Sequence, residues 1–341
     1  MNDCVTFHEV VFDPFYRITQ LYTLLASLGA IFPLFHLIFF KLRKSTFNNN
    51  VKCLFMLYFG LILISVINSA VVFCHHIVIP FVSVAYCDVM VNPFKLRIFE
   101  YVGVFGMSSP MLMSLGISAE RILAIILARN YEKSRLHIGL AIGVIVTTLD
   151  IFIVIMLFHD EKFDQPMMSY FTVPTTSGHG MNVLCYWLLV LNLINLLFNY
   201  ILVKINRILR EKWRSDLSTR YQMEENIITT QFSTYIAFFH VFFFMLYLVF
   251  TLLIRIIGPD FLTSPADLLT LRCTYITIPT YNLIIGLLSC TYLKHLQTRK
   301  VAKVSAEVAI KHTGVEGAQI YEQVIQNAWE MPEIRNSRWT F

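Results

Sequence analysis

Charged residues are scarce in this chain of 341 residues: they make up 14% of it, whereas 56% is hydrophobic and the mean hydropathy is +0.62. A soluble protein of this length could form two or three domains, but it would not need so much apolar surface. The net charge of +5 does not indicate nucleic-acid binding, because Lys and Arg form short clusters between apolar runs rather than one stripe. The scarcity of charge therefore predicts a membrane protein.

The patterns of enzyme and metal chemistry are also missing. No arrangement of nucleophile, base and orienting group is visible, and no phosphate-binding glycine loop follows a strand, so we predict neither an enzyme nor a cofactor. The seven cysteines show no CxxC or Cys/His metal-ligand spacing, which argues against a metal site. No cleavable signal peptide is evident, and we expect the first apolar run to act as an uncleaved signal anchor.

The sequence instead contains long apolar runs. Seven windows of about 20 residues are apolar enough to cross a bilayer. They cover residues 18–40, 54–79, 98–126, 138–158, 183–203, 234–257 and 268–292. Backbone groups in lipid must be satisfied internally, and barrel-type alternation is absent, so these runs should be helices. We predict an all-α, seven-transmembrane helix bundle over residues 18–292, preceded by an N-terminal segment, 1–17, and followed by a tail, 293–341.

Lys and Arg are distributed unevenly between the two sides of this bundle. The connections on one side, together with the tail, hold 20 of the 27, and the opposite connections hold six. Because positively charged loops stay in the cytosol, we predict an extracellular N-terminus and a cytosolic C-terminus. In the tail, residues 301–309 and 318–329 have apolar residues at helical spacing and predict two amphipathic helices at the inner membrane face.

Glu120 and Arg121 lie near the inner end of the third apolar run. At about 1.5 Å per residue, Arg121 stands roughly 30 Å from Glu100, the thickness of a bilayer core, so one helix could link events at the two faces. The pair could form a salt bridge at rest and then release the guanidinium to bind carbonyls of an inserted partner helix. The alternative is that Arg121 only reaches the lipid head groups.

Two connections are long. The one between the fourth and fifth runs could fold over the mouth of the bundle. The other, between the fifth and sixth runs, is charged, and Ser215 or Asp216 could cap a helix there that continues into the sixth run.

Candidate ligand contacts are ionisable side chains within the runs, because such groups are costly in a membrane and usually face the bundle interior. They are Glu100, His75, His76, Asp150, His240 and Arg272. For the histidines and Arg272 the alternative is contact with lipid head groups. The many Phe residues favour a small, partly hydrophobic ligand, although Phe facing lipid would give the same pattern.

Three asparagines, Asn192, Asn195 and Asn199, share one stripe of the fifth run. Polar residues in such a stripe more often hold helices together than bind a ligand. We therefore predict that they form hydrogen bonds between helices.

Cys4 and Cys87 are the two cysteines predicted to lie outside the membrane in an oxidising compartment. A disulfide between them would fasten the N-terminus to the first outer loop. Cys185 is a rival partner, and two free thiols are the remaining alternative.

Several short patterns follow one another in a specific order. They are Glu120-Arg121 with Ala124 and Asn130-Tyr131-Glu132, then Leu217-Ser218-x-Arg220-Tyr221-Gln222-x-x-Glu225-Asn226, then Gly314, Gly317 and Trp329. Together with helix number and loop lengths over nearly the whole chain, this order resembles the nematode serpentine chemoreceptors of the Sra superfamily. Among the sister classes Sra, Srb, Sre and alpha/beta (Srab), it looks most like Srab.

The resemblance implies a chemosensory G-protein-coupled receptor that detects a small-molecule odorant or pheromone and activates a heterotrimeric G protein. Such a receptor would sit in the plasma membrane, in the sensory cilia of chemosensory neurons. Arg121 would act as the arginine of the Asp/Glu-Arg-Tyr motif of rhodopsin-like receptors. The residues implied in coupling are Glu120, Arg121, Tyr131, Arg220 and Tyr221.

The chain departs from rhodopsin-like receptors at other positions. Ile122 replaces an aromatic residue, and Pro279-Thr280-Tyr281-Asn282 stands in place of Asn-Pro-x-x-Tyr. The activation switches of those receptors therefore do not transfer directly, whereas the seven-helix plan does.

A transporter or ligand-gated channel subunit is the alternative function. Transporters tend to show repeated halves and broken helices, and this sequence shows neither. Ligand-evoked current in a membrane free of G protein would favour a channel. The sequence leaves the existence of a receptor dimer open.

Overall fold

A computed structural model of the chain describes residues 2–45, 47–127, 137–163, 167, 176–212, 217–258, 265–274, 277–311, 318–319 and 322–323. The described part is almost entirely helical. Its helices are α1 (Asn2–Phe12), α2 (Pro14–His36), α3 (Asn49–Val82), α4 (Pro93–Ile126), α5 (His137–Leu157), α6 (Gly178–Lys212), α7 (Leu217–Ile256), α8 (Pro265–Thr274) and α9 (Ile278–Lys311). A π-helical segment, Leu37–Leu42, extends α2, and a 3-10 turn, Tyr86–Val89, precedes α4.

Helix starts follow from local chemistry. The side chains of Asp13, Asn48 and Asn92 cap α2, α3 and α4 by accepting a hydrogen bond from a backbone N–H in the first turn, at 2.9, 3.0 and 2.9 Å. Proline follows two of these caps, at Pro14 and Pro93, where its missing N–H costs nothing. The helices that hold the first three predicted runs therefore begin four or five residues before those runs do.

Six of the described helical segments are long and apolar enough to cross a membrane. They coincide with the first six predicted runs, two of which, 138–158 and 234–257, end one residue beyond the helix. Helix α7 begins at Leu217, which confirms that a helix in the charged connection continues into the sixth run. The two residues proposed to cap it, Ser215 and Asp216, lie outside the described residues.

The seventh predicted run, 268–292, differs from the structure. It is divided between α8 and the first part of α9. Helix α9 has Pro279 at its second position, and proline favours the first turn of a helix, where its missing N–H costs nothing. An apolar run shows which residues can lie in the membrane, but it does not show whether they form one helix or two.

Helix α4 lies at the centre of the bundle. In the most apolar 18-residue stretch of α4, 72% of the residues are buried, whereas in the corresponding stretch of α5 only 17% are buried. Helix α4 packs against α3, α5, α6 and α7. A side chain on α4 can therefore contact most of the other long helices.

One close approach of backbones fixes α5 against α3. The N–H of Gly139 donates to Oδ1 of Asn50 at 3.1 Å, and a Cβ atom at this glycine would stand 2.3 Å from the Asn50 carbonyl oxygen. Only glycine permits this contact, because any side chain would overlap the neighbouring backbone.

The N-terminal segment is ordered by a helix that the sequence did not predict. Apolar side chains of α1 at helical spacing, Phe7, Val10 and Val11, pack on Tyr16 and Val89. This is the spacing of an amphipathic helix, three residues of which face a common surface.

The chain divides into two compact units, Met1–Cys290 and Thr291–Phe341. The second unit begins within α9 and contains the tail. The two predicted amphipathic helices of the tail, 301–309 and 318–329, fall mostly on residues whose side chains lie outside the description, and their amphipathic character stays a prediction.

Candidate functional site

Arg121 lies buried at the end of α4, with 1% of its surface exposed. Its Nε donates to Oε2 of Glu120 at 2.5 Å, and its Nη2 pairs with the same carboxylate. Its Nη1 donates to Oδ1 of Asn226 at 2.9 Å and to Oγ1 of Thr229 at 2.8 Å, both on α7. The guanidinium therefore joins α4 to α7, and this burial argues against the alternative in which it only reaches lipid head groups.

The same turn of α7 also holds α3. The carboxylate of Glu225 accepts a hydrogen bond from the backbone N–H of Asn48, the residue that caps α3. Glu225 and Asn226 are adjacent, so one turn of α7 contacts both neighbouring helices. We call Glu120, Arg121, Asn226 and Thr229 the arginine cluster, and the side of the bundle on which it lies the Arg121 end.

Three residues predicted for G-protein coupling cannot be placed in this cluster. Tyr131 lies outside the described residues, and so do the side chains of Arg220 and Tyr221, although α7 includes their backbone. Their role stays a prediction.

A cavity lies between α4, α7 and α9. The empty space between its walls amounts to about 390 Å³, part of which opens outwards. Its described lining is Gly106, Met107, Pro110, His240, Phe243, Phe244, Tyr247, Thr277, Ile278, Tyr281 and Asn282. Ligand sites in proteins share this character, a mostly apolar wall with a few polar groups.

His240 belongs both to the cavity and to a buried polar cluster beside it. Its Nδ1 lies 2.8 Å from the hydroxyl of Tyr281 and 3.1 Å from that of Tyr58, and the two hydroxyls are 3.2 Å apart. These three residues come from α7, α9 and α3. A molecule that moves His240 or Tyr281 would therefore disturb a contact among three helices.

Of the six ligand residues predicted from the sequence, only His240 is among the described residues that line this cavity. Glu100 and His76 are buried elsewhere, at 5% and 2% exposure. The ring of His75 lies 6.0 Å from that of His76. The side chain of Arg272 lies outside the described residues. A ligand role for these four residues stays a prediction.

Asp150 faces the bundle interior as its charge requires, but serine hydroxyls already occupy its oxygens. Ser108 donates to Oδ1 at 2.6 Å, and Ser109 donates to Oδ2. Both serines lie on α4, so Asp150 joins α5 to α4. This arrangement is that of a helix-to-helix contact.

Two of the three asparagines of the α6 stripe form the predicted hydrogen bonds between helices. Nδ2 of Asn195 donates to Ser114 at 2.9 Å, and Nδ2 of Asn199 donates to Ser118 at 2.8 Å. Asn192 donates to a carbonyl of its own helix, at Leu188. The stripe therefore fastens α6 to α4.

Cys4 and Cys87 are joined by a disulfide in the structure, with their Cα atoms 5.0 Å apart. It ties α1 to the 3-10 turn before α4. The rival partner, Cys185, is a buried free thiol.

Several residues of the site were not predicted as site residues from the sequence. Thr229 and Tyr58 were not noted at all, whereas Asn226 and Asn282 were noted only as members of motifs. All four are uncharged and common in membrane helices, so nothing in their type marks them as site residues. One signal was available on α7, where His240, Phe243, Phe244 and Tyr247 follow the i, i+3, i+4, i+7 spacing of a helix face, and all four line the cavity.

Comparison with known proteins agrees with this architecture. The family described as "Serpentine type 7TM GPCR chemoreceptor Srb" matches residues 12–244. Serpentine receptor class beta-6 of Caenorhabditis elegans is 61% identical over 330 residues, covering 97% of this chain and 98% of that protein. Class beta-15 and class beta-3 receptors of the same organism are 34% and 33% identical, each over at least 96% of this chain and 97% of the relative.

These matches confirm the resemblance to nematode serpentine chemoreceptors and the seven-transmembrane fold. They assign class beta, whereas the sequence patterns had favoured the sister class alpha/beta. The chain is thus a multi-pass membrane protein, and it belongs to the Srb family of serpentine seven-transmembrane chemoreceptors.

Proposed function

We propose that this protein is a chemosensory receptor that binds a small molecule in the cavity between α4, α7 and α9 and activates a heterotrimeric G protein at its Arg121 end. One observation carries the proposal: α4 and α7 both line the cavity and both contribute to the arginine cluster. On α7, His240 and Thr229 are 11 residues apart, or roughly 16 Å of helix, and the helix is continuous between them.

The arginine cluster would be the resting state of the switch. Hydrogen bonds from a charged group are stronger than neutral ones, and those of Arg121 hold α7 against α4. A ligand that binds better when the Arg121 ends are apart would shift the population toward that state. Arg121 would then be released toward a helix of the G protein, with Tyr131, Arg220 and Tyr221 as further predicted contacts.

The orientation proposed for this function places the N-terminus outside the cell and the tail in the cytosol. It rests on the excess of Lys and Arg on the side of Arg121. Epitope tags at the two ends of the chain test it on unpermeabilised cells. Only the N-terminal tag should be accessible, and access to both tags or to the C-terminal tag alone would overturn it. The plasma membrane of sensory cilia is the proposed location.

The proposed coupling is tested by Arg121→Ala in cells that carry a second-messenger reporter and are screened with volatile and water-soluble compounds. Arg207→Ala is the matched control, because Arg207 is an exposed arginine of α6. At equal surface expression, R121A should abolish the ligand-evoked signal and R207A should retain it. An intact signal in R121A would refute the proposed switch.

A further inference from the structure

Asn282 is a buried amide with one donor atom left unpartnered. It is 3% exposed, and its Nδ2 has no hydrogen-bond partner in the described part of the chain. A buried donor left unpaired costs about 1–3 kcal/mol, so native proteins rarely retain one without a reason. Asn282 also lines the cavity.

The other nitrogen-bearing side chain of this wall, His240, is already engaged beside the cavity. Its Nδ1 lies 2.8 Å from the hydroxyl of Tyr281 and 3.1 Å from that of Tyr58. Asn282 therefore supplies an N–H donor of the wall that has no partner in the described part of the chain.

The rest of the wall selects against charge. Met107, Phe243, Phe244 and Ile278 are apolar, and no charged side chain is found among the described residues that line the cavity. An ion would lose its hydration there without gaining a counter-charge, which costs far more than a hydrogen bond returns.

We infer that the cavity binds a small, uncharged ligand with an apolar body and one hydrogen-bond acceptor of the carbonyl or ether type. Nδ2 of Asn282 donates the hydrogen bond to that acceptor. The inference rests on the proposed function, since it specifies the ligand of the same cavity. Asn282 would gain its missing partner when the ligand binds. A hydrocarbon of the same size would leave the amide unpaired, and a carboxylate would be excluded by its charge.

The test measures binding to the full-length protein in lipid nanodiscs, without a G protein. The probes are 2-octanone, octane and octanoate, which have equal carbon numbers. In the unmodified protein 2-octanone should bind at least about 5-fold more tightly than octane, because one hydrogen bond separates them. Octanoate should bind most weakly.

The decisive variant is Asn282→Leu, which keeps the size of the side chain and removes its polar atoms. The preference for 2-octanone over octane should fall to about 1-fold, while the unliganded protein should unfold at the same temperature or higher, because an unpaired polar group has been removed. Asn206→Leu is the matched control, since Asn206 is a buried asparagine of α6 outside the cavity lining. It should keep the preference.

The inference is overturned if N282L keeps the preference, if octane binds as tightly as 2-octanone, if octanoate binds most tightly, or if none of the three binds. Should N282L not fold, Ile278→Phe narrows the same cavity and must weaken 2-octanone binding at least about 5-fold. Because no G protein is present, loss of coupling in R121A leaves these results unchanged. Conversely, normal G-protein coupling without a preference for the acceptor would contradict the inferred ligand class but not the proposed function.

Discussion

Replacing Asn226 by leucine should make the receptor active without a ligand. Asn226 accepts one of the hydrogen bonds by which Arg121 holds α7, at 2.9 Å. A hydrogen bond to a charged group contributes about 1.5–3 kcal/mol, and 1.4 kcal/mol is a factor of ten in an equilibrium. The open state should therefore gain about 10-fold or more, so that a resting population of about 1% would become roughly 10%.

The assay is basal second-messenger production, normalised to receptor at the cell surface, in the absence of any added compound. Asn206→Leu is again the matched control, because among the described residues Nδ2 of Asn206 bonds only a carbonyl of its own helix, that of Leu202, at 3.0 Å. Basal signalling should rise in N226L and remain at the unmodified level in N206L. Equal basal signals in the three proteins would show that the hydrogen bond from Arg121 to Asn226 does not restrain the receptor.

Two further predictions concern stability. Gly139→Ala should lower the free energy of unfolding by about 1–3 kcal/mol, because the new Cβ would overlap the backbone of Asn50. The loss should be measurable as a lower unfolding temperature and lower surface expression. Gly60→Ala should be neutral, because open space surrounds the added atom. Cys4→Ser and Cys87→Ser should each destabilise the protein by about 2–4 kcal/mol in thermal unfolding, and the double variant should lose no more than either single one; additive losses would contradict the disulfide.

The apolar runs predicted the transmembrane helices because depth in a bilayer depends mainly on length and hydropathy. The same physics placed Asp150 in the interior and assigned Asn195 and Asn199 to contacts between helices. Both expectations follow from the cost of exposing polar groups to lipid, which does not depend on the details of packing.

The cavity could not be located in this way. Glu100 and His76 were chosen for charge and depth, but which neighbour a buried side chain meets depends on the rotation and packing of the helices. The wall is instead built from residues such as Phe243 and Asn282, whose types are common throughout the chain. The helix α1 escaped prediction for a related reason: its three buried apolar residues form too short a pattern to stand out from a loop.

The most direct test of the coupling between cavity and arginine cluster is a distance measurement. Spin labels at the Arg121 ends of α4 and α7, in lipid nanodiscs, report whether these ends separate when an agonist identified by the reporter screen is added. We expect the distance to grow by several ångströms with agonist, and to grow without it in N226L. An unchanged distance with an agonist that does evoke a signal would contradict the proposed mechanism.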